Sequence, residues 1–476
     1  MTMSKHRRDR LRSDVLSRAD TVVLSIAGSA PGYTIAATTA TLVGAAGVAS
    51  PAALIWCGIP MIGIGLAYLY LVRQEAHAGA AYSWVGRVLH PTLGYLSGWS
   101  LVVSATLFMV AGSLPAGSLT LALFAPNLAQ NTVAVTAVGA AWFLVMALVV
   151  VRGVRITAHV QWLMTGLEVG ILVLFTVLAL IRAPQIATQS FDWSWLSFQH
   201  FSGIGTFAAA ALVAAFYFWG WDVSANLSEE TKGAQRASGS GGLIGLVITF
   251  AVFLSFAIVT NMLMTPADVQ KNSGNLIEVL GQTILPGVGG KVLSLAVVLS
   301  TIATLETTLV QVTRTLFAMG RDLALPAALA WTHRRWQTPW VATATVVVVA
   351  LGLFVASAFL GSVNKALSDA VSAIGLQISV YYALAGLAVV VAYRRQLFTS
   401  VGRFVFAGLW PLGGAIFMAW IFVESLTTLD TRAIVIGLGS LGLGLIPMAY
   451  YWAKGSPYFR TRAGRHAART VTWAEP

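Results

Sequence analysis

Three acids stand where acids are costly. Glu168, Asp222 and Glu306 each fall inside a long apolar run, and an ionisable group at membrane depth marks a substrate, ion or proton path by default. Each is therefore a candidate for proton coupling. Each also has an ordinary role open to it. Asp222, two residues after Gly220, could cap a helix that starts there. Glu306, in STIATLETTLVQVTRT (300–315), could meet a substrate amine, or bond to a nearby Thr or to Gln311. Glu168 could pair with a cation.

Two stretches of disrupted helix accompany these acids. IAGSAPGYTIAAT (26–38) puts two glycines and a proline inside an apolar run, where Gly costs about 1 kcal/mol and Pro about 3 kcal/mol relative to Ala. AAFYFWGWDVSANLSEET (214–231) sets Gly220 among bulky aromatics, with Asp222 close behind. Broken backbone at membrane depth is tolerated only where it is buried in protein or lines a wet cavity. The half-helix ends offer N–H groups to an anion and C=O groups to a cation. A substrate carrying both charges close together fits, and an α-amino acid is the simplest case. Small residues also serve close helix packing, so either break alone has a plainer explanation. The pair points further, because interrupted spans in corresponding positions of two halves mark a transporter with a midplane site.

The elements that must hold these residues are membrane spans. Of 476 residues 57% are hydrophobic and 10% charged, with a mean hydropathy of +0.78, whereas soluble domains carry about 25% charged residues. Windows able to cross about 30 Å of hydrocarbon recur throughout. Twelve spans are expected, at 21–46, 51–73, 93–123, 132–151, 157–182, 203–228, 241–264, 288–318, 339–361, 366–393, 403–426 and 432–453. Alternating sides gather 24 of the 29 Lys and Arg on one side and leave Arg182, Lys271, Lys291, Lys365 and Arg432 on the other. The positive-inside rule then puts both termini in the cytoplasm. The net charge of +12 is thus read as membrane topology rather than nucleic-acid binding. The basic tails SKHRRDRLR (4–12) and YFRTRAGRHAAR (458–469) are expected to lie against anionic headgroups. The first apolar run is too long for a cleavable signal.

Four segments in order carry a family resemblance: HAGAAYSWVGRVLHPTLGYLSGW (77–99), RGVRITAHVQWLMTGLEV (152–169), GWDVSANLSEETKGAQRA (220–237) and TLFAMGRDLALP (315–326). The chain resembles bacterial amino-acid permeases of the amino acid–polyamine–organocation superfamily, essentially over spans one to ten. The resemblance implies an all-α membrane protein with a five-plus-five inverted-repeat fold of the leucine-transporter kind. The core would be 21–393, its repeats about 21–182 and 203–393, followed by two further spans over 394–453. Cytoplasmic tails would cover 1–20 and 454–476.

It further implies a substrate site from Ile26, Ala27, Gly28, Ser29, Ala30 and Gly32 in span one and Phe216, Tyr217, Phe218, Trp219 and Gly220 in span six. Gly28, Ser29 and Ala30 match the family's G-S/T-G loop. Their amides and the Ser29 hydroxyl would take the substrate carboxylate, although Ala30 replaces a glycine and Pro31 has no N–H. Phe216 falls where related exchangers close an aromatic over the substrate. Asp222 falls where some carry a proton-sensing carboxylate. Glu168 lies near a lysine that replaces sodium in certain relatives, here with the sign reversed.

The expected activity is amino-acid uptake by alternating access, with proton symport preferred and sodium left open. The alternatives are exchange of amino acids, amines or polyamines, and a transporter-like sensor. No catalytic residue, enzyme motif or cofactor is expected, and the seven histidines show no metal spacing. The single Cys57 lies within span two, which excludes a disulfide-linked heavy subunit and leaves monomer or homodimer open. Glu229 and Glu230, beside Lys232 and Arg236, read as a solvated cluster, as do Arg321 and Asp322; salt bridges at an inward gate are the alternative. Neutral or apolar substrates suit the small residues Ala105, Ala214 and Ala215.

Overall fold

The computed structural model describes residues 10–358 and 363–460, without the side chains of 357–369. What was expected of 1–9, of 461–476 and of the Lys365 side chain lies outside the described residues. The described residues are helical, with no strand among them and one isolated bridge between Leu16 and Thr231. Nine of their helical stretches are long and apolar enough to cross a membrane. The chain is therefore a multi-pass membrane protein.

In chain order the helices are α1 (Arg18–Ser29), α2 (Pro31–Ala46), α3 (Ser50–Gln74), α4 (Ala81–Val88), α5 (Pro91–Phe124), α6 (Thr132–Arg152), α7 (Val154–Ile186), α8 (Ile204–Tyr217), α9 (Val223–Asn226), α10 (Ala234–Leu263), α11 (Pro266–Lys271), α12 (Leu276–Ile284), α13 (Gly289–Arg321), α14 (Trp340–Ala358) and α15 (Val363–Tyr393). Two more apolar stretches, Val401–Thr428 and Thr431–Ala453, complete the fold.

Local chemistry explains where the first helix starts and why it breaks. The Ser17 hydroxyl accepts from Asp20 N–H while Asp20 accepts from Ser17 N–H, a reciprocal cap. The helix stops at Ala30, whose backbone is left-handed at φ 48° and ψ 63°. Pro31 then opens α2 at the position where a missing N–H costs nothing.

The centre of the bundle is built from α13, packed against α5 and α7, with α15 on α5 and α10 on α1 and α3. The most apolar window of α13 is 78% buried, against 17% for Thr431–Ala453, which lies at the periphery.

Two alanines carry positive φ, Ala30 at 48° and Ala80 at 42°. A side chain in that region is strained by about 1–2 kcal/mol. Ala80→Gly is therefore expected to raise stability by about 1 kcal/mol, read as a higher melting midpoint in detergent with uptake unchanged.

Candidate functional site

The two breaks meet. A Cβ added to Gly28 would overlap the carbonyl of Gly220, and one added to Gly220 would overlap that of Gly28. Gly220 also has φ +91°, so glycine is required there both for conformation and for close approach. The junction is roofed by aromatics. Trp219 packs edge-on against Phe108 with centroids 5.3 Å apart, Phe108 likewise against Tyr33 at 5.6 Å, and Phe216 lies 6.1 Å from Trp219. The Trp219 indole N–H donates to the Tyr381 hydroxyl at 2.7 Å. The Tyr33 hydroxyl is buried without a hydrogen-bond partner. All these groups are buried, so the junction is closed to solvent.

The N–H groups at the start of α2 have partners. Gly32 N–H donates to Glu168 Oε1 at 2.8 Å, and Tyr33 N–H to Ser300 Oγ at 3.0 Å. Ala30 N–H turns back to the carbonyls of Ile26 and Ala27, and the Ser29 hydroxyl donates to Ser25 O at 3.3 Å. The Thr304 hydroxyl holds the Gly28 carbonyl at 3.2 Å. The donors that face away from α1 are thus Gly32, itself among the expected site residues, and Tyr33, three residues beyond the expected pair Ser29 and Ala30.

The other expected residues divide. Ile26 and Ala27 are buried in α1. Tyr217 packs on Phe253 and its hydroxyl lies 3.1 Å from Thr39 Oγ1, while Phe218 packs on Phe250 and Phe253. Both rings face α10 rather than the junction. The Phe218 carbonyl accepts from the Trp221 indole at 3.0 Å.

The three acids are fully buried and stand apart. Asp222 precedes α9, but its side chain makes no cap bond. It accepts from Tyr382 at 2.9 Å and from Tyr68 at 3.4 Å. Glu306 accepts from Gln161 Nε2 at 2.7 Å. Asp222 lies within the segment between α8 and α9, while Glu168 reaches the α1–α2 break from another helix.

The end of the bundle where α1 begins is sealed by ion pairs, so Glu229 and Glu230 are not a solvated cluster. Glu230 pairs bidentately with Arg314, at 2.9 Å and 3.1 Å, with both side chains at most 1% exposed. Glu229 takes two bonds from Arg321, at 2.6 Å and 2.9 Å, and one from Ala78 N–H. Burial pushes the Glu229 carboxyl up, but the Arg321 bonds and charge outweigh it and hold it below the usual carboxylate range. His77, 2.9 Å from Arg321, is held down to about 3 by burial and then by that guanidinium. Lys232 N–H donates to Leu16 O, and the N–H groups of Val15 and Leu16 donate to Glu230 O, strapping the N-terminal segment across this end.

Among the described residues no three His, Cys, Asp or Glu side chains are grouped to hold a metal ion. Cys57 is a buried free thiol.

Comparison with known proteins adds a family. The family model described as "Amino acid permease" matches residues 17–431. The serine/threonine exchanger SteT of Bacillus subtilis (strain 168) is 24% identical over 405 residues, covering 83% of this chain and 87% of its own. The low-affinity putrescine importer PlaP of Escherichia coli (strain K12) is 24% identical over 428 residues, covering 84% and 85%. The branched-chain amino acid permease BcaP of Bacillus subtilis (strain 168) is 25% identical over 295 residues, covering 58% and 61%.

Proposed function

Because this chain belongs to the amino acid permease family, we propose that it is a proton-coupled amino-acid transporter of the plasma membrane, a non-enzymatic carrier working by alternating access. The fold reading that goes with it is twelve spans, ten of them in two inverted repeats, with both termini in the cytoplasm. The breaks at Ala30 and Gly220 are the discontinuities that such repeats place at the midplane.

The observation that carries the proposal is Glu168 on the Gly32 amide. A substrate carboxylate needs the donors at the start of α2, and the protein's own carboxylate already holds one. A charged acceptor binds an N–H more strongly than a neutral one. Protonating Glu168 therefore loosens its hold and frees Gly32 for the substrate, while deprotonation expels the substrate. One seat contested by two carboxylates couples one proton to one amino acid. The amino group is left to carbonyls at the junction, and the side chain to the box of Tyr33, Phe108, Phe216, Trp219 and Tyr381. The buried apolar walls suit neutral or apolar side chains. The Glu230–Arg314 and Glu229–Arg321 pairs would hold the cytoplasmic gate shut.

The same observation favours a second reading, in which Glu168 stays charged and the substrate is an amine that never competes for Gly32. A similarity to a putrescine importer is in keeping with it.

A thermal-stability screen of the twenty amino acids and of common amines separates the two readings, since a bound ligand stabilises the fold in proportion to its occupancy. An amino acid is expected to raise the melting midpoint more at pH 5.5 than at 7.5. Its decarboxylated analogue should have no effect. Stabilisation by the amine alone, without competition from the acid, would favour the second reading.

A further inference from the structure

Glu306 is used by neither the junction nor the gate, yet it is a buried acid in the middle of the bundle. Its surroundings form a line. Thr157, Gln161, Thr165 and Glu168 recur on α7 at intervals of four, four and three residues, which stacks them on one helical face. All four are at most 3% exposed. They face α13, where Gln161 Nε2 donates to Ala303 O at 2.8 Å and to Glu306. The Thr165 hydroxyl donates to Gln161 Oε1 at 3.3 Å.

The line has two ends. At one, Glu168 meets Gly32 and, on α13, Ser300. At the other, Thr157 neighbours Glu306. Beside Thr157, Ala158 lines a cavity of about 370 Å³ together with Asp14, Asp20, Arg155, His159 and Lys232. Glu168 and Gln161 are about 10 Å apart along the helix at 1.5 Å per residue.

Three polar atoms on the line have no hydrogen-bond partner although buried: Glu168 Oε2, Glu306 Oε1 and Thr157 Oγ1. Buried polar groups are nearly always satisfied, so each invites a proton or a water. The polar neighbours of Glu168 are the Gly32 amide and Ser300; those of Glu306 are Thr157 and Gln161. Among the described residues no charged side chain from α1, α2, α6, α10, α12 or α13 bears on either acid. The charged and titratable groups of the line begin at the cavity, with Arg12, Asp14, Asp20, Arg155, His159 and Lys232.

We propose that the α7–α13 interface is a proton route separate from the substrate path, in which Glu306 receives the proton of Glu168 and releases it into the cavity at the start of α7. The O–H bond of the Glu168 carboxyl breaks and its electron pair stays on Glu168. A new O–H bond forms on Glu306, with the Thr165 hydroxyl and intervening water bridging the gap. Glu306 then gives the proton to water at the Thr157 end, and the Gln161 N–H stabilises the carboxylate left behind. This route rests on the proton-coupled transport proposed above.

The test is proton movement in proteoliposomes holding a trapped pH dye, driven by an equimolar mixture of the twenty amino acids. Exchange of labelled amino acids across the same membranes is measured in parallel. For Glu306→Gln, proton flux and gradient-driven accumulation should fall at least about tenfold, while exchange stays within about twofold. Gln161→Met should lower proton flux in the same selective way, and it serves if Glu306→Gln cannot be purified. Wild-type proton flux in both variants would overturn the route and leave coupled transport standing. Amino-acid transport by the wild type without proton flux would overturn the coupling itself, and the route with it.

Discussion

Replacing Arg314 with methionine is expected to cost about 3–5 kcal/mol of stability, because it strands a charge inside the protein. Glu230 and Arg314 are bidentately paired and at most 1% exposed. With the guanidinium gone, Glu230 must either stay charged without a partner or take up a proton. Its backbone carbonyl also receives the N–H groups of Val15 and Leu16, so the strap loosens with it. The single variant should show a markedly lower melting midpoint in detergent, with weak accumulation caused by an unsealed gate. Removing both charges, as Arg314→Met with Glu230→Leu, should recover much of the stability, since the charge that was costly to bury is gone. Recovered stability without recovered accumulation is the signature of a gate. A loss in the double variant equal to the sum of the two single losses would mean that the two side chains act independently.

Gly220→Ala is expected to be nearly as severe. The new methyl meets the Gly28 carbonyl, and the φ of +91° is one that a side chain strains to adopt. Both neighbours are backbone, so no rotamer change relieves the overlap, and the breaks must part. A destabilisation of about 2–4 kcal/mol is expected from overpacking and strain together. Uptake should fall to background even where folded protein is recovered, because the donors of α2 and the aromatic box no longer face one site. Gly170, where an added Cβ meets nothing, provides the control: Gly170→Ala should leave uptake and stability close to wild type. Near-normal uptake by Gly220→Ala would separate the breaks from substrate binding.

How far the sequence predicts the site depends on how local each signal is. The breaks were legible because Gly and Pro disrupt a helix within a few residues, and Glu168, Asp222 and Glu306 because charge stands out in an apolar run. What the acids touch was not legible. Glu168 reaches Gly32 across 136 positions, and Asp222, a helix cap by local rules, is held by Tyr68 and Tyr382 instead. Arg314 was hidden by its place near the end of a span, where it counted as one more cytoplasmic cation, with its partner 84 residues away. The same blindness made Glu229 and Glu230 look solvated. Their sequence neighbours Lys232 and Arg236 suggested a local cluster, whereas packing against α13 supplied the true partners. Short helices such as α4, α11 and α12 escaped because hydropathy registers only long windows. The face of α7 shared by Thr157, Gln161, Thr165 and Glu168 has helical spacing, yet no period in the sequence says which neighbour it meets.

Gradient-driven uptake of amino acids by the wild type and by Glu168→Gln, in vesicles acid outside and neutral inside, tests the coupling most directly. Glutamine keeps the size of Glu168 and an oxygen for Gly32 N–H, but carries no exchangeable carboxyl proton. The wild type should concentrate its substrate, while Glu168→Gln should exchange it across the membrane at a rate insensitive to pH and accumulate at least about tenfold less. A Glu168→Gln variant that accumulates as well as the wild type, with the same pH dependence, would contradict the contested seat at Gly32.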